Sequence, residues 1–318
     1  MVQVLAVLCS DIHRSHTPPV FRATEPDWYA AMNRPLIQVV DAANKHGVPL
    51  VIAGDIFDRW GSPAATINST MEILKSVTAG CFAVPGQHDL ANHLYSDIRL
   101  TAYWTLVESG VVMNLEPGYP RHVYIEDDGQ GYELAMYGFP WGFPVEPLNR
   151  PERVKTDPPI VYLAVVHQYV WIDQNTSYPG APDEGKVGGL KKRLKGFDAA
   201  VFGDNHIGFS ATVGDTSVIN CGTFLIRKSD EIGYRPRYGL LMSDGSIVVK
   251  YLRVSEDLYA DQEIITENEV NPRVRKALAE EMNALGSESL NFRDALDWFM
   301  DKAKTDRSVR SIVYACLG

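Results

Sequence analysis

Hydrophobic and polar positions follow two rhythms along this chain. Val2 to Cys9 is an apolar, β-branched run that stops at Ser10-Asp11, as a strand buried on both faces does. Asp27 to His46 places Trp28, Met32, Leu36, Ile37 and Val40 at spacings of three and four, which predicts a helix. Gly47 supplies its stop and Val48 to Ala53 predicts the next buried strand. Ser62-Pro63 offers an N-cap and a first-turn proline for a helix reaching about Val77. Cys81 to Val84 predicts a third strand, and Ser96 to Glu108 a further helix. Strands alternating with helices describe an α/β core with a largely parallel sheet.

Beyond Val111 the texture changes to shorter strands at His122–Glu126, Glu133–Tyr137, Val161–Val166, Ala199–Phe202 and Ser217–Asn220. Tyr238–Met242 and Ser246–Leu252 then flank Ser243-Asp244-Gly245, an Asp-Gly hairpin signal. Gln168 to Gly196, rich in glycine, proline and charge, reads as one long loop of the functional kind. From about Asp257 the pattern is helical and charged, with Val274–Asn283 and Phe292–Ala303 the clearest segments. The expected organisation is a catalytic domain over 1–255 and a small helical C-terminal appendage over 256–318. The appendage carries more apolar residues than a solvated tail, Leu278, Trp298 and Phe299 among them. It therefore either covers the catalytic sheet or meets a partner.

Composition narrows the class. The 318 residues are 45% hydrophobic and 22% charged, which is ordinary for a globular protein. No apolar run approaches the roughly 20 residues that cross a bilayer. No basic region or small-residue cleavage site precedes the first strand, so a secretory leader is not expected. Cys9, Cys81, Cys221 and Cys316 follow no pairing or zinc-finger spacing, which suits reduced thiols in the cytoplasm. A formal net charge of −10 disfavours unaided grip on nucleic acid, since phosphate contacts dominate such binding. A local basic face can still supply it.

Five short motifs carry the candidate chemistry, most of them directly after a predicted strand. They are Asp11-Ile12-His13, Gly54-Asp55-Ile56-Phe57-Asp58-Arg59, Gly86-Gln87-His88-Asp89, His167, and Gly203-Asp204-Asn205-His206. Taken singly, each has an ordinary explanation as a turn, a surface ion pair or a core histidine. In α/β sheets, however, ligands gather outside the carboxyl ends of strands, so the set should converge on one crevice. Carboxylate and imidazole together suit divalent manganese, iron or zinc. Two such ions about 4 Å apart can clamp a phosphoryl group.

In this order the motifs resemble those of the calcineurin-like metallophosphoesterases over about residues 1–225. The resemblance implies a four-layer sandwich, two mixed β-sheets flanked by helices, with a dinuclear metal site. It implies that Asp11, His13 and His206 hold one ion and that Asp55 bridges both. His167, Gln87 and Asp204 would hold the other, with His88 the catalytic imidazole at the leaving oxygen. Gln87 and Asp204 depart from the pattern, standing where the family has Asn and His. The second site is then either decayed or remodelled. Remodelling is the better reading, because both residues still offer oxygen. A third carboxylate makes manganese the expected metal, with magnesium next and iron or zinc as alternatives.

Ser10-Asp11-Ile12-His13 and Ala53-Gly54-Asp55-Ile56-Phe57-Asp58 further resemble DNA double-strand-break repair nucleases and phage-type recombination exonuclease subunits. The expected activity is therefore phosphodiester hydrolysis in DNA. The alternatives are a phosphomonoesterase of protein-phosphatase type and a metal-stabilised scaffold without catalysis. The repair branch implies an ATPase partner at the appendage; a homodimer is the other expectation. Arg59 either holds phosphate or pairs with Asp58, and His16 either reaches phosphate or is a plain loop histidine. Trp60, Trp141 and Trp171 either stack unpaired bases or pack the rim. Lys191-Lys192-Arg193-Leu194-Lys195 is the densest basic run, either a solvated helix end or the candidate electrostatic footprint; Arg227-Lys228, just after Asn220-Cys221-Gly222-Thr223, either faces phosphate or is a solvated surface pair.

Overall fold

The computed structural model describes residues 2–127, 129–149, 158–178, 181–228, 231, 233–260 and 300. The chain divides into two compact units, Met1–Gln262 and Glu263–Gly318. The helices expected over 274–283 and 292–303 fall, but for Met300, outside the described residues.

In chain order the strands and helices are β1 Val4–Cys9, α1 Trp28–His46, β2 Leu50–Ala53, α2 Ala64–Leu74, β3 Cys81–Val84 and α3 Ala102–Glu108. There follow β4 Met113–Asn114, β5 Arg121–Asp127, β6 Gln130–Phe139, β7 Ile160–His167 and β8 Ala199–Gly203. The last four are β9 Phe209–Val213, β10 Thr216–Asn220, β11 Arg237–Met242 and β12 Ile247–Tyr251. They build two six-stranded sheets, ordered β12-β11-β1-β2-β3-β4 and β5-β6-β7-β8-β10-β9. Both are mixed: β1 to β4 are mutually parallel with β11 antiparallel beside β1, and β6, β7, β8 and β10 are mutually parallel with β5 and β9 antiparallel at the edges. This is the expected sandwich of two mixed sheets flanked by helices.

The strands facing the interior are apolar on both sides because each sheet has two faces to cover. Along β7, Val161, Leu163 and Val165 enter the core between the sheets, while Ala164 and Val166 enter the core on the outer face. That outer face is closed by Val187 and Leu190, on the short 3-10 turn Val187–Lys191, and by Leu194 in the turn after it. The stretch read as one long loop is thus partly a covering layer.

Local signals decide most boundaries. Asp27 caps α1 by accepting from Ala30 N, and Gly47 ends it at φ 64°. The α2 helix starts one residue later than expected. Ser62 Oγ donates to Arg59 O at 3.0 Å and Pro63 takes the N-cap position without a side-chain bond. The helix expected over Ser96–Glu108 is broken. Tyr95–Leu100 is a 3-10 turn, and Thr101, extended at φ −114° and ψ 159°, caps α3 by accepting from Trp104 N. A capping hydroxyl competes with continuation of the helix. β4 and β9 were invisible to periodicity; β4 has only two residues.

After β12 the chain is fastened back onto α1 and the segment that leads into it. Asp257 pairs with Arg34 at 2.9 Å and Arg22 at 3.1 Å, and Leu258 N donates to Glu25 Oε1. Residues 253–260 therefore belong to the first unit. Cys9, Cys81 and Cys221 are buried free thiols. Among the described residues no helix is long and apolar enough to cross a membrane.

Candidate metal centre

Asp11, Asp55, Gln87, His88 and Asp204 all lie within a few residues of the carboxyl ends of β1, β2, β3 and β8, and His167 is the last residue of β7. Because β1–β2–β3 and β7–β8 are parallel within their sheets, these ends converge. The turns after β1 and β2 are sewn together by Asp11 N to Gly54 O (3.1 Å), His13 N to Asp55 O (2.9 Å) and Arg14 N to Ile56 O (2.8 Å).

The backbone pays conformationally for this arrangement. Asp11, His13, Asp55 and Asp204 have φ of 51°, 48°, 53° and 82°. Non-glycine residues there cost about 1–3 kcal/mol each and cluster where function demands it. The motif glycines answer to space: a Cβ on Gly86 would lie 2.1 Å from Asp55 Oδ1, and one on Gly54 2.1 Å from His167 Nδ1.

The side chains form a chain of close contacts. His13 Nδ1 lies 3.6 Å from Asp58 Oδ1, His13 Nε2 lies 3.7 Å from Asp55 Oδ2, and Asp55 Oδ2 lies 3.4 Å from His167 Nε2. His13 Nε2 also sits 3.0 Å from His206 Nε2. Among the described residues, three groups bring ligand atoms within 4.8 Å of one another: Asp11–His13–His206, Asp11–Asp55–His167 and His13–Asp58–His88. Asp55 and His167 are buried, as are Asp11 and His13, whereas His88, Gln87, Asp204 and His206 are half-buried.

The donor atoms fit divalent cations. Asp11 Oδ2, His13 Nδ1, Asp55 Oδ2 and His167 Nε2 are buried and make no hydrogen bond, an expensive state for polar atoms without a ligand. Burial holds the His13 and His206 rings below the usual imidazole range, His206 at about 4. They are neutral at pH 7 and offer lone pairs. Burial also pulls His167 down, but the facing Asp55 carboxylate outweighs it and raises the ring to about 10. A cation entering between these two must displace a proton.

Asp204 does not join these groups of carboxylates and imidazoles. It meets Gln87 instead, Gln87 Nε2 donating to Asp204 Oδ1 at 3.2 Å. The extra methylene of Gln87 lets its amide reach the carboxylate and leaves its own carbonyl oxygen unused in that bond. The two departures from the family pattern are therefore one physical unit. Asp11 Oδ1 accepts from Asp204 N at 2.9 Å, joining that unit to the cluster.

Of the two readings of Arg59, the pair with Asp58 does not form among the described residues: Asp58 Oδ1 is taken by Arg227 Nη2 at 2.6 Å. Arg59 instead lines a cavity of about 540 Å³ with His16, Asp58 and Arg227. His16 Nδ1 bonds Tyr29 Oη at 2.9 Å. A second cavity, about 360 Å³, opens on His167 and carries Arg193 from the basic run. Trp60 stays exposed and Trp171 packs against Lys186.

Sequence reasoning missed three supporting residues. Arg14, wholly buried, binds Thr70 Oγ1, Met32 O, Asn33 Oδ1 and Ser69 Oγ, fixing the β1 turn to α1 and α2. Asn205 holds the 168–178 segment through Val170 O and Thr176 O, both 2.7 Å. Asp89 accepts from Ile56 N, Phe57 N and Gly86 N at 2.9 to 3.1 Å, while burial and then Asp55 raise its carboxyl to about 7. Its place in Gly86-Gln87-His88-Asp89 was the available signal. Asp89→Ala would orphan three buried donors, so a loss of roughly 2–4 kcal/mol is expected in urea unfolding. An unchanged midpoint and slope would show that the turns hold without it.

Residues 5–208 match the family described as Calcineurin-like phosphoesterase. A search of curated proteins returns no match. Among solved structures, a Staphylococcus aureus protein named as a 5′-nucleotidase is 14% identical with a TM-score of 0.50, covering 84% of this chain and 57% of its own. The calcineurin-like phosphoesterase YfkN from Bacillus subtilis is 16% identical, TM-score 0.45, covering 84% and 96%. A dimetal phosphatase from Danio rerio is 12% identical, TM-score 0.46, covering 81% and 98%.

Proposed function

The chain belongs to the calcineurin-like phosphoesterases, and from that premise we propose that it is a metal-dependent phosphodiesterase acting on DNA, an exonuclease or endonuclease of repair or recombination type. One observation carries the choice of a diester. The chain of contacts Asp58–His13–Asp55–His167 opens at both ends into cavities that bear cations: Arg59 and Arg227 beyond Asp58, Arg193 beyond His167. A substrate that continues past its reacting phosphate in both directions suits two such exits; a monoester fills only one.

In this reading Asp11, His13 and His206 hold one divalent ion, Asp55 both, and His167, Gln87 and Asp204 the other. Bound ions would supply Lewis acidity at the phosphoryl group. Three carboxylates and an amide make the set oxygen-rich, which favours manganese or magnesium over zinc. Arg59 and Arg227 would meet phosphate oxygens, and His88 would hold or give the proton of the leaving oxygen. With a net charge of −10, attraction to DNA rests on local cations. Lys191, Lys192, Arg193 and Lys195 are all exposed.

The test is incubation with labelled single- and double-stranded DNA, a small phosphodiester and an aryl phosphomonoester, each in manganese, magnesium and zinc. Cleavage of DNA and diester, fastest in manganese, is expected, with steep salt dependence of about −0.9 in log–log slope per phosphate contacted on duplex. Reversing Lys191 and Lys192 to Glu should lower DNA cleavage and spare the small diester. Hydrolysis of the monoester alone would overturn the reading in favour of a phosphomonoesterase.

A further inference from the structure

We propose that the cavity beside His167 is a subsite for one unpaired nucleobase, that of the nucleotide next to the scissile phosphate; the proposal rests on the nucleic-acid reading above. Its walls are Trp141, Phe143, Pro144, Gln168, Arg193 and the His167 ring. The rings come from the turn Pro140-Trp141-Gly142-Phe143-Pro144 that follows β6. Gly142, at φ 85°, makes the turn, and Phe143 N donates to Pro140 O at 3.0 Å.

Each ring is held by its neighbours. Trp141 N donates to Pro85 O at 3.2 Å, tying it to the turn that carries Gln87 and His88. Its ring meets His167 edge-on with centroids 6.4 Å apart. Phe143 leans on Tyr95 at 5.2 Å and 72° yet is 36% exposed. An exposed Phe143 and a half-buried Trp141, packed on one side against the core, line the cavity beside a charged cluster and make a platform for a flat, partly apolar ring. Such stacking tolerates any base, since every base has a π-face. The polar atoms also suit a base. Gln168 offers a donor and an acceptor to its edge, while the exposed Arg193 can lie over a ring or meet the next phosphate.

Position supplies the link to chemistry. His167 lines the cavity and faces Asp55 at 3.4 Å, so a group seated there borders the cluster that would hold the reacting phosphate. The exposed cations Lys191, Lys192 and Lys195 continue from Arg193, along the course that following phosphates would take. A base paired in a duplex cannot present its face to Trp141, so the subsite selects single strands and frayed ends.

The experiment compares a thymidine dinucleotide with the same compound made abasic on either side, using the manganese-loaded protein, Trp141→Ala, Trp141→Phe and Phe143→Ala. For the base-bearing dinucleotide, each alanine variant should raise KM by about 5- to 150-fold, the effect of losing one base stack, with kcat little changed. Trp141→Phe should restore most of the affinity. Removing one particular base should raise the parent's KM similarly and make all four proteins alike. A loss shared by base-bearing and abasic compounds marks Trp141 as structural and overturns the subsite, as does no loss in any variant. If the parent cleaves neither compound nor longer single strands, the nucleic-acid reading falls and the subsite with it.

Discussion

Replacing His88 with alanine should cut phosphoester hydrolysis by about 10²- to 10⁴-fold while leaving the metal content unchanged. The ring is half-buried at the mouth of the cluster, and its Nδ1 lies 2.9 Å from the Asp58 carbonyl oxygen. A carbonyl only accepts, so Nδ1 carries a hydrogen and Nε2 is the nitrogen left for substrate. The ring stands edge-on to His13 with centroids 4.9 Å apart, within reach of the same reacting group. A competing role exists, because His88 also falls within 4.8 Å of His13 and Asp58 as a ligand group. Metal analysis separates the two. A variant that keeps its ions and loses turnover has lost a proton carrier; one that loses an ion has lost a ligand; one that turns over at the parental rate has lost neither.

Asp55→Asn should weaken both ions together, by at least the roughly 10–100-fold that loss of a mere outer-shell partner costs. Asp55 Oδ2 is buried and unbonded, and lies between His13 and His167, at 3.7 and 3.4 Å from their Nε2 atoms. Its other oxygen accepts from His88 N at 2.9 Å, a bond that asparagine's carbonyl can keep. Asparagine also tolerates the left-handed φ of 53° at this position. The fold should therefore survive and the change should report on charge alone. Isothermal titration with manganese, backed by elemental analysis, is the measurement. Loss of one ion with normal retention of the other would make Asp55 a terminal ligand.

What could be read in the sequence followed from local rules. Apolar runs of strand length, Asp27 and Gly47 at the ends of α1, and the Asp244-Gly245 turn are each decided by residues within a few positions of one another. The motifs after β1, β2, β3, β7 and β8 were legible because parallel strands bring their carboxyl ends together, whatever the rest of the chain does. Helix 96–108 was misread for the same local reason, since Thr101 satisfies strand-like and helical spacing equally until its hydroxyl is seen capping Trp104 N.

Contacts between distant positions were decided only by the tertiary structure. Gln87 meets Asp204 across 117 positions, and Arg227 rather than Arg59 takes Asp58 across 169. No periodicity encodes such pairings, because they depend on how two sheets stack and where their turns then fall. The same stacking carries Arg193 to His167, and so joins a basic run that alone reads as solvated surface to the metal cluster. The sequence by itself determined which side chains could bind metal and at which strand ends they stand. Their left-handed backbone, their unbonded oxygens and nitrogens, and the cavities on either side arose only on folding, when close packing of the strand ends left those conformations and spaces as the ones that remained.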